Sequence, residues 1–211
     1  MSGEEAELRF MERVISAASG AALTAQQREE QIQANAALDA TRGRPDAWMI
    51  GLQIMARSAD GTAQVFALSL LRTYLSTVAR NAAGDDSSRT NVACIRENLL
   101  AFIGSNVAAT NLPSYPPIYI VNSIATVLAL CIKIEFPSLW PSAFHDMLAI
   151  GSSTDSGLEL TVRVLVDVVI EIVQYDVQRS KAEVTLNSAI KDHMRSTTIG
   201  AFYQMEPLHP V

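Results

Sequence analysis

The sequence IYIVNSIATVLALCIKIEFPSLWP, residues 118–141, contains an apolar run that a membrane span, a strand or a buried helix could explain. The run is closed by Lys133 and Glu135, and it falls short of the roughly 20 apolar residues that a bilayer span needs. It exceeds the roughly 4–8 residues of one strand, and no turn signal divides it. We therefore predict a helix that is buried over most of its circumference and ends at Phe136, because Pro137 follows.

One narrow stripe of this helix differs from its other faces. At 3.6 residues per turn, the stripe holds Asn122, Thr126, Ala129 and Lys133. The other faces hold larger apolar side chains, among them Ile124, Leu128, Cys131 and Ile132. We therefore expect the stripe to face outward and the other faces to be packed.

Composition favours an ordered, all-α chain. The 211 residues are 49% hydrophobic and 18% charged, and Gly and Pro are few. The net charge is −6 and the basic residues are dispersed, so the chain lacks the electrostatic footprint of a self-sufficient nucleic-acid binder. The acidic amino terminus predicts no secretory or mitochondrial targeting segment. Cys94 and Cys131 indicate neither a disulfide framework nor a zinc site.

Apolar periodicity predicts a series of helices along the rest of the chain. In the second of them, Ile32, Ala36 and Leu38 are the residues available for burial. Ser87 or Ser88 is a candidate cap for the fifth helix, and Ser138 for the seventh. Leu148 is predicted on the buried face of the seventh helix. The apolar face of the last helix is predicted to hold Val184, Leu186, Ile190, Met194 and Ile199. The predicted ranges are about 4–19, 25–40, 45–58, 65–78, 88–103, 118–136, 138–148, 158–173 and 181–203.

The segment at 158–173 has a β-branched composition that favours a strand by propensity alone. However, Glu159, Arg163, Asp167 and Glu171 recur every four residues, which places them on one helical stripe with favourable i,i+4 pairs. The pattern and its length therefore predict a helix.

The predicted helices form pairs that begin near residues 5, 45, 88, 138 and 182, a spacing close to the ~40–47 residues of HEAT and armadillo repeats. The chain is therefore predicted to be an α-α superhelix of four to five pairs. We expect the first two repeats in residues 1–80, and the third to an incomplete fifth repeat in residues 81–211.

No arrangement of residues indicates an enzyme. His145, His193 and His209 lack partners at the spacing of metal ligands, and no Gly-rich phosphate loop occurs. We therefore predict no catalytic, cofactor-binding or metal-binding residues.

The outward faces of the second helices are the better candidates for function, because these helices line the concave side of such superhelices, where partners bind. A solvated face that any soluble solenoid needs is the alternative interpretation. The candidate partner-binding residues are Gln64, Asn122, Thr126, Lys133, Arg163 and Asp167.

Several segments resemble the importin-β (karyopherin-β) family of nuclear transport receptors. RPDAWMIGLQIM with AQVFALSLL resembles its amino-terminal region, and residues 119–148 resemble its exportin-1/importin-β-like domain. Residues 157–177 and the segment LNSAIKDHMRSTTIGAFYQM are most similar to the exportin-T branch, which exports transfer RNA from the nucleus.

The resemblance implies the amino-terminal part of a receptor that shuttles through nuclear pores between nucleus and cytoplasm. The implied partners are Ran in its GTP form, transfer RNA bound jointly with distal repeats, and phenylalanine-glycine nucleoporins. Membrane insertion is not implied. The alternatives are an importin-β-family receptor with protein or a different RNA as cargo, and a generic HEAT-repeat scaffold.

Overall fold

The computed structural model describes residues 3–21, 24–81, 86–106, 116–173, 181–194 and 196, and within them all regular structure is α-helical. The helices are α1 (Gly3–Ser19), α2 (Ala25–Arg42), α3 (Ala47–Arg57), α4 (Gly61–Asn81), α5 (Asp86–Asn106), α6 (Ile118–Glu135), α7 (Ala143–Gly151), α8 (Asp155–Val173) and α9 (Lys181–Met194). The all-α prediction is confirmed, as is helix rather than strand for the Val-rich segment.

Side-chain caps fix where several helices begin. Thr24 and Gln27 form a reciprocal capping box at the start of α2, because each side chain accepts the other residue's backbone N–H. Asp60 Oδ1 accepts the N–H of Thr62 at 2.8 Å at the start of α4. Since α6 ends at Glu135 and Phe136 is its C-cap, the termination predicted before Pro137 is confirmed.

The helices pack as successive pairs. The second helices α4, α6 and α8 lie side by side, with α3 packed on α4, α5 on α6 and α7 on α8, while α1 packs on both α2 and α4. One continuous apolar core runs through these contacts. This is the arrangement expected of an α-helical repeat solenoid.

At the centre, α6 is buried against helices on several sides. By length and composition it could cross a membrane, yet 67% of its 18 residues are buried inside the protein, as in the core helix of a solenoid. Ile120, Ile124 and Leu128 are all fully buried. The predicted burial of most of this helix is confirmed.

The expected exposure of the stripe on α6 is wrong in its second half. Asn122 is exposed and Thr126 is partly buried, but Ala129 is fully buried and Lys133 is only 2% exposed. The stripe faces solvent only around Asn122 and Thr126, where α8 does not cover it. Toward the end of α6, other elements cover it.

Several local predictions are also wrong. Ile32 is 69% exposed and Ala36 is exposed, whereas Ala34, Leu38 and Thr41 form the buried side of α2. Leu148 and Val184 are 60% and 52% exposed. Ser87 and Ser88 lie inside α5, and α7 begins at Ala143, so Ser138 does not cap it. Each error concerns which element covers a face or where a helix begins.

The final helix α9 does not simply extend the stack. It contacts α4, α6 and α8, so it lies across three second helices. The predicted continuation of this helix to residue 203, including burial of Met194 and Ile199, lies outside the described residues and side chains. Ile190 is fully buried, as predicted.

Candidate partner-binding surface

A groove of about 570 Å³ lies between the first half of α6 and the middle of α8. We call it the α6–α8 groove. Its α6 wall carries Asn122 and Thr126 together with Ala125, and its α8 wall alternates charged and apolar side chains. The lining residues are Asn122, Ala125, Thr126, Glu159, Val162, Arg163, Val166 and Asp167.

Hydrogen bonds hold the polar side chains of the groove in place. Thr126 Oγ1 lies 2.8 Å from Asp167 Oδ2, which joins the two helices by a hydroxyl-to-carboxylate hydrogen bond. Along α8, Arg163 Nη2 donates to Glu159 Oε1 at 2.8 Å. The result is a wall with a fixed order of negative, positive and negative charge.

Four of the six candidate residues predicted from sequence therefore meet in one place: Asn122, Thr126, Arg163 and Asp167. Sequence reasoning missed Ala125, Val162 and Val166 as lining residues, although their spacing on the two helices could have placed them there. Val162 and Val166 are 51% and 52% exposed, so the groove offers apolar as well as charged contacts. Such a mixture suits a protein surface better than a nucleic-acid backbone.

The structure does not place Gln64 in this groove. Its side chain is 1% exposed, and Nε2 donates to the backbone oxygen of Ser58 at 2.9 Å. Gln64 thus joins the start of α4 to the end of α3. The expectation that it lies on an outward face is wrong.

Lys133 is also away from the groove, in a buried ion cluster. Its Nζ lies 2.9 Å from Glu183 Oε1 of α9 and 3.2 Å from Glu171 Oε2 of α8. The side chains of Lys133 and Glu183 are 3% and 9% exposed, so this pair lies in a largely dry environment, whereas the Glu171 side chain is 29% exposed. Lys133 therefore joins three helices, and the expectation of an outward lysine is wrong.

A second buried charged cluster, which the sequence did not indicate, joins α5, α6 and α7. Arg96 Nη1 lies 2.9 Å from Glu135 Oε2, and its guanidinium lies over the Trp140 ring at 5.2 Å. Trp140 Nε1 donates to Asp146 Oδ2 at 2.6 Å. Burial raises the pKa of Glu135, and the Arg96 charge opposes this shift.

Two further observations concern reactive groups in the described part of the chain. Burial raises the pKa of the Cys131 thiol, which disfavours the reactive thiolate. Among the described residues, no group of three His, Cys, Asp or Glu side chains is arranged to hold a metal ion. The α6–α8 groove, which brings together four of the residues predicted from sequence, is the candidate functional site.

Comparison with known proteins finds a family-model match in the same half of the chain. Residues 117–204, which include α6 to α9, match the family model of the Exportin 1-like protein. These residues lie within the predicted 81–211 unit. Both walls of the groove fall inside the match.

Curated relatives carry one name. Exportin-T of Danio rerio is 33% identical over 110 residues, which make up 52% of this chain and 11% of that protein. Exportin-T of Homo sapiens is 26% identical over 157 residues, or 74% of this chain and 16% of that protein. Exportin-T of Dictyostelium discoideum is 36% identical over 80 residues, or 38% of this chain and 7% of that protein.

The chain thus spans a small part of the length of these relatives, between 7% and 16%. The resemblance to importin-β-family transport receptors is confirmed by the family match and the shared name of these relatives, and the chain is exportin-T-like.

Proposed function

We propose that this chain is the amino-terminal part of a Ran-GTP-dependent nuclear export receptor for transfer RNA and has no catalytic role of its own. The proposal is supported by similarity to proteins named exportin-T, one of which matches over 74% of the chain. The observation that carries it furthest is the α6–α8 groove, where four independently predicted residues meet inside the family-matched region.

In this proposal the α6–α8 groove contacts Ran in its GTP form. Glu159, Arg163 and Asp167 offer fixed charges, and Val162 and Val166 offer exposed apolar surface beside them. A protein partner with a complementary order of charges would gain specificity from the charged side chains and affinity from the two valines. Nucleotide dependence would arise if only the GTP form of Ran presents that complementary surface.

The nucleotide preference is tested by pull-down of this chain with Ran locked in its GTP or GDP form. We expect capture of the GTP form and much less of the GDP form. Equal capture, or no capture of either, would contradict Ran-GTP dependence in this part of the receptor. The same experiment separates a receptor from a generic HEAT scaffold, for which no nucleotide dependence is expected.

Transfer RNA binding is proposed as a property shared with distal repeats. The net charge of −6 gives this chain no basic surface large enough to hold a polyanion alone. We therefore expect binding of transfer RNA by a full-length receptor, in a salt-dependent manner, but not by this chain. A preference for another RNA, or for a protein cargo, would favour the alternative of a different importin-β-family receptor.

Passage through nuclear pores is proposed to use weak contacts with phenylalanine-glycine nucleoporins. A second groove of about 450 Å³ between α3 and α5 supports this, because Leu52, Met55 and Phe102 give it apolar walls and Asn98 and Asn106 a polar rim. An aromatic side chain would bury apolar surface there, and the amides would bind the adjacent backbone. Shuttling between nucleus and cytoplasm is the expected localisation.

Ala101 allows this groove to be tested without disturbing the core, since it is an exposed lining residue. We expect Ala101→Glu to weaken binding of a phenylalanine-glycine peptide several-fold, because it places a charge against an apolar ligand. Ser87→Glu, at an exposed position of α5 outside the groove, is the matched control. Equal binding by both variants in a fluorescence titration would exclude this groove.

A further inference from the structure

The face of α9 that packs against the core is unusually polar for a helix in this position. Its described buried side chains are Glu183, Asn187 and Ile190, with exposures of 7%, 3% and 0%. They recur at i, i+4 and i+7, so they form one face of the helix. By contrast, α6 buries a nearly continuous apolar surface. Leu186 also packs, partly buried, against the core. Among the described residues, hydrophobic burial therefore contributes less to the position of α9 than to that of α6.

An ion pair provides a specific contact between α9 and α6. Glu183 Oε1 lies 2.9 Å from Lys133 Nζ, and the same Nζ lies 3.2 Å from Glu171 Oε2. Glu171 belongs to α8 and holds Lys133 without α9. Glu183 is thus a second carboxylate for a lysine that already has one.

One polar contact of α9, that of Asn187, is imperfect. Asn187 Nδ2 lies 3.4 Å from the backbone oxygen of Glu171, near the upper limit for a hydrogen bond. Asn187 Oδ1 is buried without a hydrogen-bond partner in the described structure. An unsatisfied buried amide oxygen favours a state in which water reaches it, which opposes docking of α9. The His193 ring adds an edge contact with Phe136 at a centroid distance of 5.3 Å.

We propose that α9 is a releasable strap, held in place by a latch between Glu183 and Lys133. In the docked state Glu183 is paired with Lys133, and the strap covers the lysine side chain. In the released state Lys133 keeps Glu171 and presents its free side to solvent, where a carboxylate of an acidic partner can replace Glu183. This explains how a lysine predicted to contact a partner is buried here.

The chain geometry allows such a movement. Seven residues separate α8 from α9, and an extended chain of that length spans up to about 25 Å. The strap therefore remains tethered while it leaves and returns. This device is independent of the proposed transport function, and its test requires no partner.

Hydrogen exchange measured by mass spectrometry tests the strap directly on the 211-residue chain. In the wild-type protein, we expect amides of α9 to exchange through an opening that leaves α6 and α8 protected, as shown by different denaturant dependences. In Glu183→Gln, exchange of α9 should become about ten-fold faster or more, because a charge-assisted contact is lost. Acetylation of Lys133 by an N-hydroxysuccinimide ester should accelerate by a similar factor.

Glu5→Gln is the matched control, since Glu5 forms an exposed ion pair with Arg9 on α1, far along the chain from the latch. It should leave α9 exchange and Lys133 acetylation unchanged. Joint opening of α9 with α6 and α8 in the wild type would overturn the proposal, because α9 would then belong to the cooperative core. Unchanged α9 exchange in Glu183→Gln would overturn the latch.

Discussion

At the scale of single residues, two glycines show how closely the helices approach. A Cβ atom added at Gly157 would lie 2.3 Å from the backbone oxygen of Ile150, whereas one at Gly104 would have no neighbour within 4 Å. Both glycines lie within helices, so the two positions differ mainly in space. Alanine substitutions at Gly157 and Gly104 can therefore be compared to measure the effect of close helix packing.

We expect Gly157→Ala to destabilise the protein by about 2 kcal/mol, because the backbone of α7 and α8 must move apart. Gly104→Ala should stabilise it by about 0.5–1 kcal/mol through helix propensity. Urea unfolding followed by circular dichroism measures both values. A neutral or stabilising Gly157→Ala would show that α7 and α8 pack less closely than described.

Glu135 gives a prediction about pH. Burial raises the pKa of its carboxyl in the folded state above the ordinary glutamate value, against the attraction of Arg96. The folded protein then binds more protons than the unfolded chain between the two pKa values, so this group's contribution to stability falls as pH rises through that window.

In Glu135→Gln this fall should disappear. The stability of the variant relative to the wild type should therefore increase as pH rises from below the ordinary glutamate pKa to above the folded one. Urea unfolding at a series of pH values, starting near pH 4, measures the difference. Two parallel stability curves would contradict a raised pKa for Glu135.

At the scale of elements, α6 shows what periodicity can and cannot predict. The pattern identified the helix, its end and the buried positions Ile124 and Leu128 correctly. It could not show that α9, which begins about fifty residues later in the chain, covers Lys133. Periodicity relates residues to their own helix axis, and the partner of each face depends on tertiary packing.

The same limit explains Ile32 and Leu148. Both lie on apolar patterns and were expected to be buried, yet both are largely exposed because no described neighbour covers those sides of α2 and α7. Arg96 and Glu135 show the opposite error, a contact that forms without any pattern that predicts it. The two residues are 39 positions apart, so no local sequence signal indicates their ion pair.

Leu128 tests the role of α6 as the central packing helix. Its side chain is fully buried. Leu128→Asp should destabilise the protein by at least about 3–5 kcal/mol, since an unpaired carboxylate would be buried there. Thermal unfolding followed by circular dichroism should show loss of helix across several pairs.

Asn122→Asp places the same side chain at an exposed position of the same helix and is the control. It should melt close to the wild type. A Leu128→Asp protein that remained fully helical with unchanged melting would show that the burial of α6 is wrongly assigned.

At the scale of the whole molecule, the repeat period predicted the superhelix because each pair must bury an apolar face against its neighbour. The structure confirms this from α3 to α8, where second helices pack side by side. The crossing of α9 over three second helices could not be predicted, because its few buried residues are mostly polar and carry little pattern.

The candidate site was also predicted only in part, since four of the six candidate residues lie in the groove. Asn122, Thr126, Arg163 and Asp167 were identified because outward polar positions on second helices of neighbouring pairs come together in a superhelix. Gln64 and Lys133 were misplaced because polar side chains also serve as buried connectors between helices.

The central functional claim is that the α6–α8 groove binds Ran in its GTP form. Asn122→Glu changes the charge of the groove at an exposed position, and Asn35→Glu makes the same change at an exposed position of α2. The direct measurement is a calorimetric titration of the wild type and both variants with Ran-GTP. We expect binding to be at least about ten-fold weaker for Asn122→Glu, or roughly 1.4 kcal/mol, and unchanged for Asn35→Glu. Equal affinities for all three proteins would contradict binding of Ran-GTP in this groove.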